Sequence, residues 1–269
     1  MATKPDDVRR SPVAALLYGA PIGLLGGLIG LGGAEFRLPV LAGVFGYAAR
    51  RAVALNLAIS LVTVVSALVI RGGTLSLASL LGLLPAVVAM IAGAVSAAYV
   101  GTELVHRVSE HLLERVILVF LVVIGSALIG EAFLPQYVPG LLPASSLVRL
   151  VAAVIFGLGI GLVSSLLGVA GGELIVPTLV FAFGVGIKTA GTASLLISLP
   201  TVAVGVLRHC KLGSFADRAD LAQTVFPMGV GSVVGAVVGS FYVGLVSAAA
   251  LKLVLGAILI VSAVRIFYR

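Results

Sequence analysis

Long apolar stretches separated by short polar breaks organise this chain. They fall at about 13–31, 51–70, 78–100, 112–131, 148–168, 189–207, 221–243 and 248–267. None alternates polar and apolar residues as a half-buried strand does. Each is close to the ~20 residues that a helix needs to cross a hydrocarbon core of about 30 Å. Two shorter apolar pieces, 35–47 and 173–186, follow glycine clusters and carry Pro39 and Pro177 near their starts. They are too short to span alone. Each predicts a half-helix after a break, with its proline in the first turn, where a missing N–H does least harm. The expected fold class is an all-α integral membrane protein with eight long helices and two short broken half-helices.

The pattern occurs twice. Shifted by 138 residues, Gly23–Thr63 lies over Gly161–Thr201 with 16 identities in 41 positions. Farther on, Pro85 and Gly93 meet Pro227 and Gly235 at a shift of 142, which predicts four extra residues in the loop between Arg208 and Asp220. The expected organisation is a tail at 1–12, one repeat at 13–131, a linker at 132–147 and a second repeat at 148–269.

Composition sharpens the class. Of 269 residues, 61% are hydrophobic and 10% charged, whereas soluble domains carry about 25% charged residues. Such surface is tolerable in lipid, where helices satisfy their own backbone groups. The net charge of +7 sits at segment ends, so it reads as an orientation signal and not as a nucleic-acid surface. The single cysteine, Cys210, permits no internal disulfide and is expected in a buried or interfacial place. The polar start has Arg9 and Arg10 before the first apolar run and no small-residue cleavage pattern close behind, which predicts a retained helix. With four spans per copy the copies run parallel, and Arg107 and Arg115 fall outside. With five segments per copy the copies are inverted. Arg50, Arg51, Arg107 and Arg115 then move inside, leaving Arg71, Arg149 and Lys188 outside. The inverted scheme fits the lysine and arginine rule better, and both schemes put both termini in the cytoplasm.

The candidate chemistry lies at the breaks. The first runs from Gly30 through Gly32, Gly33, Ala34, Glu35 and Arg37 to Pro39, and the second from Gly168 through Gly171, Gly172 and Glu173 to Pro177. Gly30, Pro39, Gly168 and Pro177 mark the helix breaks. Broken backbone at membrane depth persists only where protein buries it or a cavity wets it. The following half-helix offers free N–H groups to an anion, which nominates Gly32, Gly33, Ala34, Gly171 and Gly172 for substrate. The alternative is close helix packing through glycine, and it covers Gly23, Gly26 and Gly27 equally well. Glu35 and Glu173 are equivalent acids in apolar surroundings, candidates for coupling by default. A capping role at their own half-helices stands beside that reading. Arg37 has no counterpart, because Ile175 replaces it. It either adds positive charge for the substrate or reaches the interface.

Asn56, Ser60 and Thr63 repeat as Ser194, Ser198 and Thr201. Their spacing of four and three puts each trio on one helix face, where they either bind an oxyanion or bond neighbouring helices. Asn56, Ser60, Ser194 and Ser198 are the nominated substrate contacts. Arg50, Arg51 and Lys188 read as interface anchors. Glu103, His106, Glu110, His111 and Glu114 read as a solvated loop, as does His209, and no metal spacing stands out.

The two glycine-rich motifs, each followed by its proline, resemble the sulfite exporter TauE/SafE family of membrane permeases, including the 4-toluene sulfonate uptake permease group. The resemblance covers about residues 13–267. Ala34 and Ala170 depart from the family's glycines, and Glu35 and Glu173 look like a subgroup feature. The resemblance implies a multi-pass inner-membrane transporter of a small sulfur-containing anion such as sulfite or a sulfonate like sulfoacetate. Export by alternating access, coupled to a proton or ion gradient, is the leading expectation. An anion channel and an importer of another small anion are the alternatives. No ATP-binding loop, zinc-protease motif or serine-hydrolase elbow is present, so neither an enzyme nor a cofactor or metal is expected. The expected partners are the small anion and the lipid bilayer, without nucleic acid and with a homo-oligomer left open.

Overall fold

The computed structural model describes residues 11–29, 33–71, 77–133, 140–143, 145–241 and 248–267. Among these, every regular element is helical. The first half holds α1 (Pro12–Ile29), α2 (Ala34–Pro39), α3 (Ala49–Arg71), α4 (Leu84–Arg107) and α5 (Glu110–Glu131). The second holds α6 (Ser146–Leu167), α7 (Gly172–Pro177), α8 (Ile187–Lys211), α9 (Arg218–Asp220), α10 (Phe226–Phe241) and α11 (Ala248–Phe267). Within the described residues every predicted long segment and both half-helices are present as helix, while 30–31 and 242–243 of the predicted segments lie outside them. Five described stretches, 49–69, 80–107, 146–167, 189–211 and 218–239, are long and apolar enough to cross a membrane. Large apolar side chains such as Leu147, Ile155, Phe133 and Phe241 stand exposed on the outside, as lipid-facing surface does.

The half-helices depart from expectation in one respect. Pro39 and Pro177 stand at the last α-helical position, the sixth in each piece, not in the first turn. A five-residue π-helix follows each, Val40–Val44 and Thr178–Ala182. Proline cannot donate to the carbonyl four residues back. After it, Phe45 N–H donates five residues back to the Val40 carbonyl at 3.1 Å, and Tyr47 N–H reaches the Leu41 carbonyl at 3.1 Å. Gly46 and Gly184 then turn the chain at the same left-handed φ of 69°, which glycine adopts without a Cβ penalty.

The halves are interleaved. α1 packs along α10 and α6 along α4, the two most extensive helix pairings among the described residues. Glycine makes both possible. A Cβ on Gly19 or Gly23 would collide with the backbone of Met228 or Ser232, and one on Gly157 or Gly161 with that of Met90 or Ala94. These pairs map onto each other at a constant shift (157 − 19 = 138; 228 − 90 = 138). Gly93 against Val154 and Gly231 against Leu16 repeat the same step. The packing therefore carries the 138-residue register through α4 and α10. It overturns the shift to 142, and with it the inferred four-residue insertion. Close backbone approach replaces the missing hydrophobic drive between helices in lipid. In both pairs residue number rises together along the two helices, so partners run in the same direction.

The chain ends of these elements also gather. Tyr47 before α3 donates to Asp220 Oδ1 of α9 at 3.0 Å, and the Arg50 side chain reaches the Val105 carbonyl at 3.0 Å and the Val108 carbonyl at 2.6 Å. Arg208 near the end of α8 pairs with Glu103 near the end of α4 at 2.6 Å. At the start of α6 lies the end of the second half-helix: Leu142 N–H donates to the Ala182 carbonyl at 3.0 Å, and Arg149 to the Phe183 carbonyl at 2.7 Å.

Gly161→Ala is expected to destabilise the protein by about 1–3 kcal/mol through overpacking against Ala94. Gly159→Ala, where a Cβ meets nothing within 4 Å, is expected to be neutral or slightly stabilising. Thermal unfolding in detergent compares the two, and equal behaviour contradicts the glycine-mediated contact.

Candidate functional site

Both breaks are built alike. Gly33 caps α2 at φ 63° and Gly171 caps α7 at φ 79°, and Gly168 closes α6 at φ 64°. These left-handed angles explain why glycine occupies all three places. Gly30 and Gly32 lie outside the described residues. The backbone of α3 lies against the second break so closely that a Cβ on Gly168 would strike the Val53 carbonyl. Beside Gly172 the surroundings are open, with nothing within 4 Å of such an atom.

Asn56 ties the two breaks together. Its Nδ2 donates to the Ala34 carbonyl of the first break at 2.9 Å and to the Leu167 carbonyl beside the second at 3.4 Å. Its Oδ1 accepts from Arg37 Nε at 3.1 Å. Arg37 also donates from Nη2 to Ser60 Oγ at 3.0 Å, and Ser60 Oγ lies 3.5 Å from the Gly168 carbonyl. Ser198 donates to the Ala170 carbonyl at 2.7 Å. Ser164 donates to the carbonyl of Val169. Arg37, Asn56, Ser60 and Ser198 are all at least 98% buried. Carbonyls freed by the broken helices thus find donors on neighbouring helices, as burial requires. Ser194 differs: its hydroxyl bonds within its own helix, to the Gly191 carbonyl at 2.9 Å.

Glu35 is 1% exposed, and neither of its carboxyl oxygens has a hydrogen-bond donor in bonding geometry. The side chain that meets it is Glu173, its counterpart from the other half. Arg37 is the cation that acts on both acids. Sequence equivalence of the two glutamates is thereby a spatial pairing. Each stands in the first turn of its half-helix.

Several polar residues fall elsewhere than the sequence suggested. His209 is not a loop residue but lies on α8 and is fully buried. Its Nδ1 is 2.9 Å from Ser214 Oγ, which is 3.1 Å from His106 Nε2 at the end of α4. Glu103 likewise belongs to α4 and pairs with Arg107 and Arg208. Arg51 binds Asp217 at 3.2 Å and also pairs with Asp220, so this anchor bridges the halves. Cys210 is exposed, contrary to expectation. The spacing along helix ends carried no sign of the pairings of Glu103 with Arg208 or of Arg51 with Asp217, because those partners come from different repeats.

An all-helical bundle with two broken, glycine-capped half-helices at its centre defines a multi-pass membrane protein. The chain belongs to the sulfite exporter TauE/SafE family, whose model matches residues 2–128 and 153–269. Comparison with curated proteins and with solved structures gives no match. The family is one of membrane transporters, which fits duplicated breaks enclosing buried polar groups.

Asn56→Leu is expected to cost about 1–3 kcal/mol for each buried group it orphans. Ser194→Ala, which removes a bond inside one helix, is expected to stay within about 0.5 kcal/mol. Thermal unfolding measures both, and a neutral Asn56→Leu contradicts the clamp.

Proposed function

We propose that the protein is a secondary transporter that exports a small sulfur-containing anion, sulfite or an organosulfonate, across the inner membrane. The family supplies the class of substrate, and the observation that carries the reading is the buried Arg37 held between the two breaks. A guanidinium in an apolar bundle is costly unless it is paired or serves a charge. Glycine-capped half-helices from both repeats flank it, and open space beside Gly172 leaves room for an anion to approach. Gly33, Ala34, Gly171 and Gly172 are proposed to line the anion's place. Arg37, Asn56, Ser60 and Ser198 supply donors when the breaks separate and their present bonds are exchanged for bonds to the anion.

Alternating access follows from the interleaving. The repeats are taken as inverted, with both termini in the cytoplasm. The return of the two half-helices to different groups of chain ends supports this. Arg50, Arg51, Arg107 and Arg208 then crowd one end, which the positive-inside rule makes cytoplasmic. The ion pairs from Arg51 to Asp217 and from Arg208 to Glu103 close that end in the present conformation. Transport is proposed to be coupled to an ion gradient through Glu35 and Glu173.

Reconstituted liposomes tested with sulfite, methanesulfonate, sulfoacetate, taurine and sulfate are expected to show saturable flux of at least one sulfur anion. Flux of none of them defeats the assignment, and flux without saturation replaces it with a channel. Arg37→Ile, which installs the residue of the second repeat, is expected to reduce flux at least tenfold, equivalent to about 1.4 kcal/mol, while Arg37→Lys keeps part of it.

A further inference from the structure

The meeting of Glu35 with Glu173 sets a constraint of its own. Glu35 is 1% exposed and has no donor on either oxygen. Opposite it is another carboxyl, which is only an acceptor when ionised. Two carboxyls in contact form a hydrogen bond only if one of them carries a proton. The other charged group acting on them is Arg37.

Among the described side chains, those of neighbouring elements bring no further charge to the pair. α1 carries no charged residue between Pro12 and Ile29. α3 faces the breaks with Asn56 and Ser60, and α8 with Ser198. On α11, Arg265 is exposed in the last turn. Among the described residues the site therefore holds one guanidinium and two carboxyls. With both acids ionised it carries a net negative charge beside a fully buried Glu35 and a half-buried Glu173, which is costly. With one shared proton it is neutral.

Adding a monovalent anion makes the site negative again, and a second proton restores neutrality. Resting on the anion-transporter reading above, we propose that Glu35 and Glu173 share one proton in the empty transporter and take up a second when a monoanion binds. One proton then crosses with each monoanion, and no net charge moves. A metal cation could supply the same charge, but hard cations require several oxygen ligands. The nearby carbonyls of Ala34, Leu167 and Ala170 are engaged by Asn56 and Ser198. A proton needs only the two carboxyls. The direction of such an electroneutral cycle follows the product of the anion and proton gradients. Export proceeds when the internal excess of anion outweighs the inward proton gradient.

The acid pair is tested without any anion by infrared difference spectroscopy of the purified protein at neutral pH. A protonated-carboxyl C=O band is expected, and it should be lost in Glu35→Gln and equally in Glu173→Gln, because the remaining carboxylate is then balanced by Arg37. Absence of the band in the unaltered protein, or its survival in both variants, overturns the shared proton. Two positions are used so that misfolding of one variant leaves the other informative.

The stoichiometry is tested in liposomes loaded with a pH dye and given labelled methanesulfonate. One proton per anion is expected, with a rate unchanged by an imposed membrane potential and by replacing sodium with choline. Anion flux that carries current, that moves no protons or that needs sodium overturns the coupling. An infrared band together with no flux for any anion of the panel defeats the transporter reading while the acid pair stands.

Discussion

Backbone that is broken in the middle of an apolar bundle must find its hydrogen bonds inside the protein, and here one side chain meets much of that need. Asn56 donates to carbonyls from both breaks and accepts from Arg37. Its amide is suited to this because it offers donors and an acceptor at one position. Everything central follows from it. The breaks are held side by side, Arg37 is fixed in the interior, and Glu35 is left facing Glu173. An isolated broken helix would have water for these groups; at membrane depth the partner must be protein.

Glycine serves two different ends in this molecule. At Gly33, Gly168 and Gly171 it permits left-handed backbone. At Gly23, Gly93, Gly157, Gly161 and Gly231 it permits helices to touch backbone to backbone. The same residue type is therefore a hinge in one place and a contact surface in another. The contact surface is reciprocal: the first helix of each repeat lies on the fourth helix of the other.

Much of the fold was legible in the sequence because lipid imposes a length. The segments 112–131 and 248–267 coincide with helices at Glu110–Glu131 and Ala248–Phe267 to within two residues. The half-helices were legible through Gly33, Gly171, Pro39 and Pro177. The proline's place in its helix was not, because the sequence does not say where the first turn begins. The repeat register between α4 and α10 was misread for a related reason. Pro85 and Gly93 find chance counterparts one helical turn away, and only contact between backbones distinguishes 138 from 142. Of the site, equivalence identified Glu35 and Glu173. The bridge from Asn56 to Leu167 and the burial of His209 depend on partners more than 100 residues away, and no local pattern encodes them.

The exchange of first helices has a consequence for how the molecule comes into being. The helix that begins the chain rests on one whose contact positions begin at Met228. It lacks this partner until α10, on the far side of the second half-helix, has entered the membrane. Until then, Gly19 and Gly23 expose a bare strip of backbone to lipid. Neither half is thus a self-sufficient unit, and the two resemble the interlocked subunits of a dimer that has been joined into one chain. Assembly is committed only once α10 has been made, which makes it the element that locks the whole bundle.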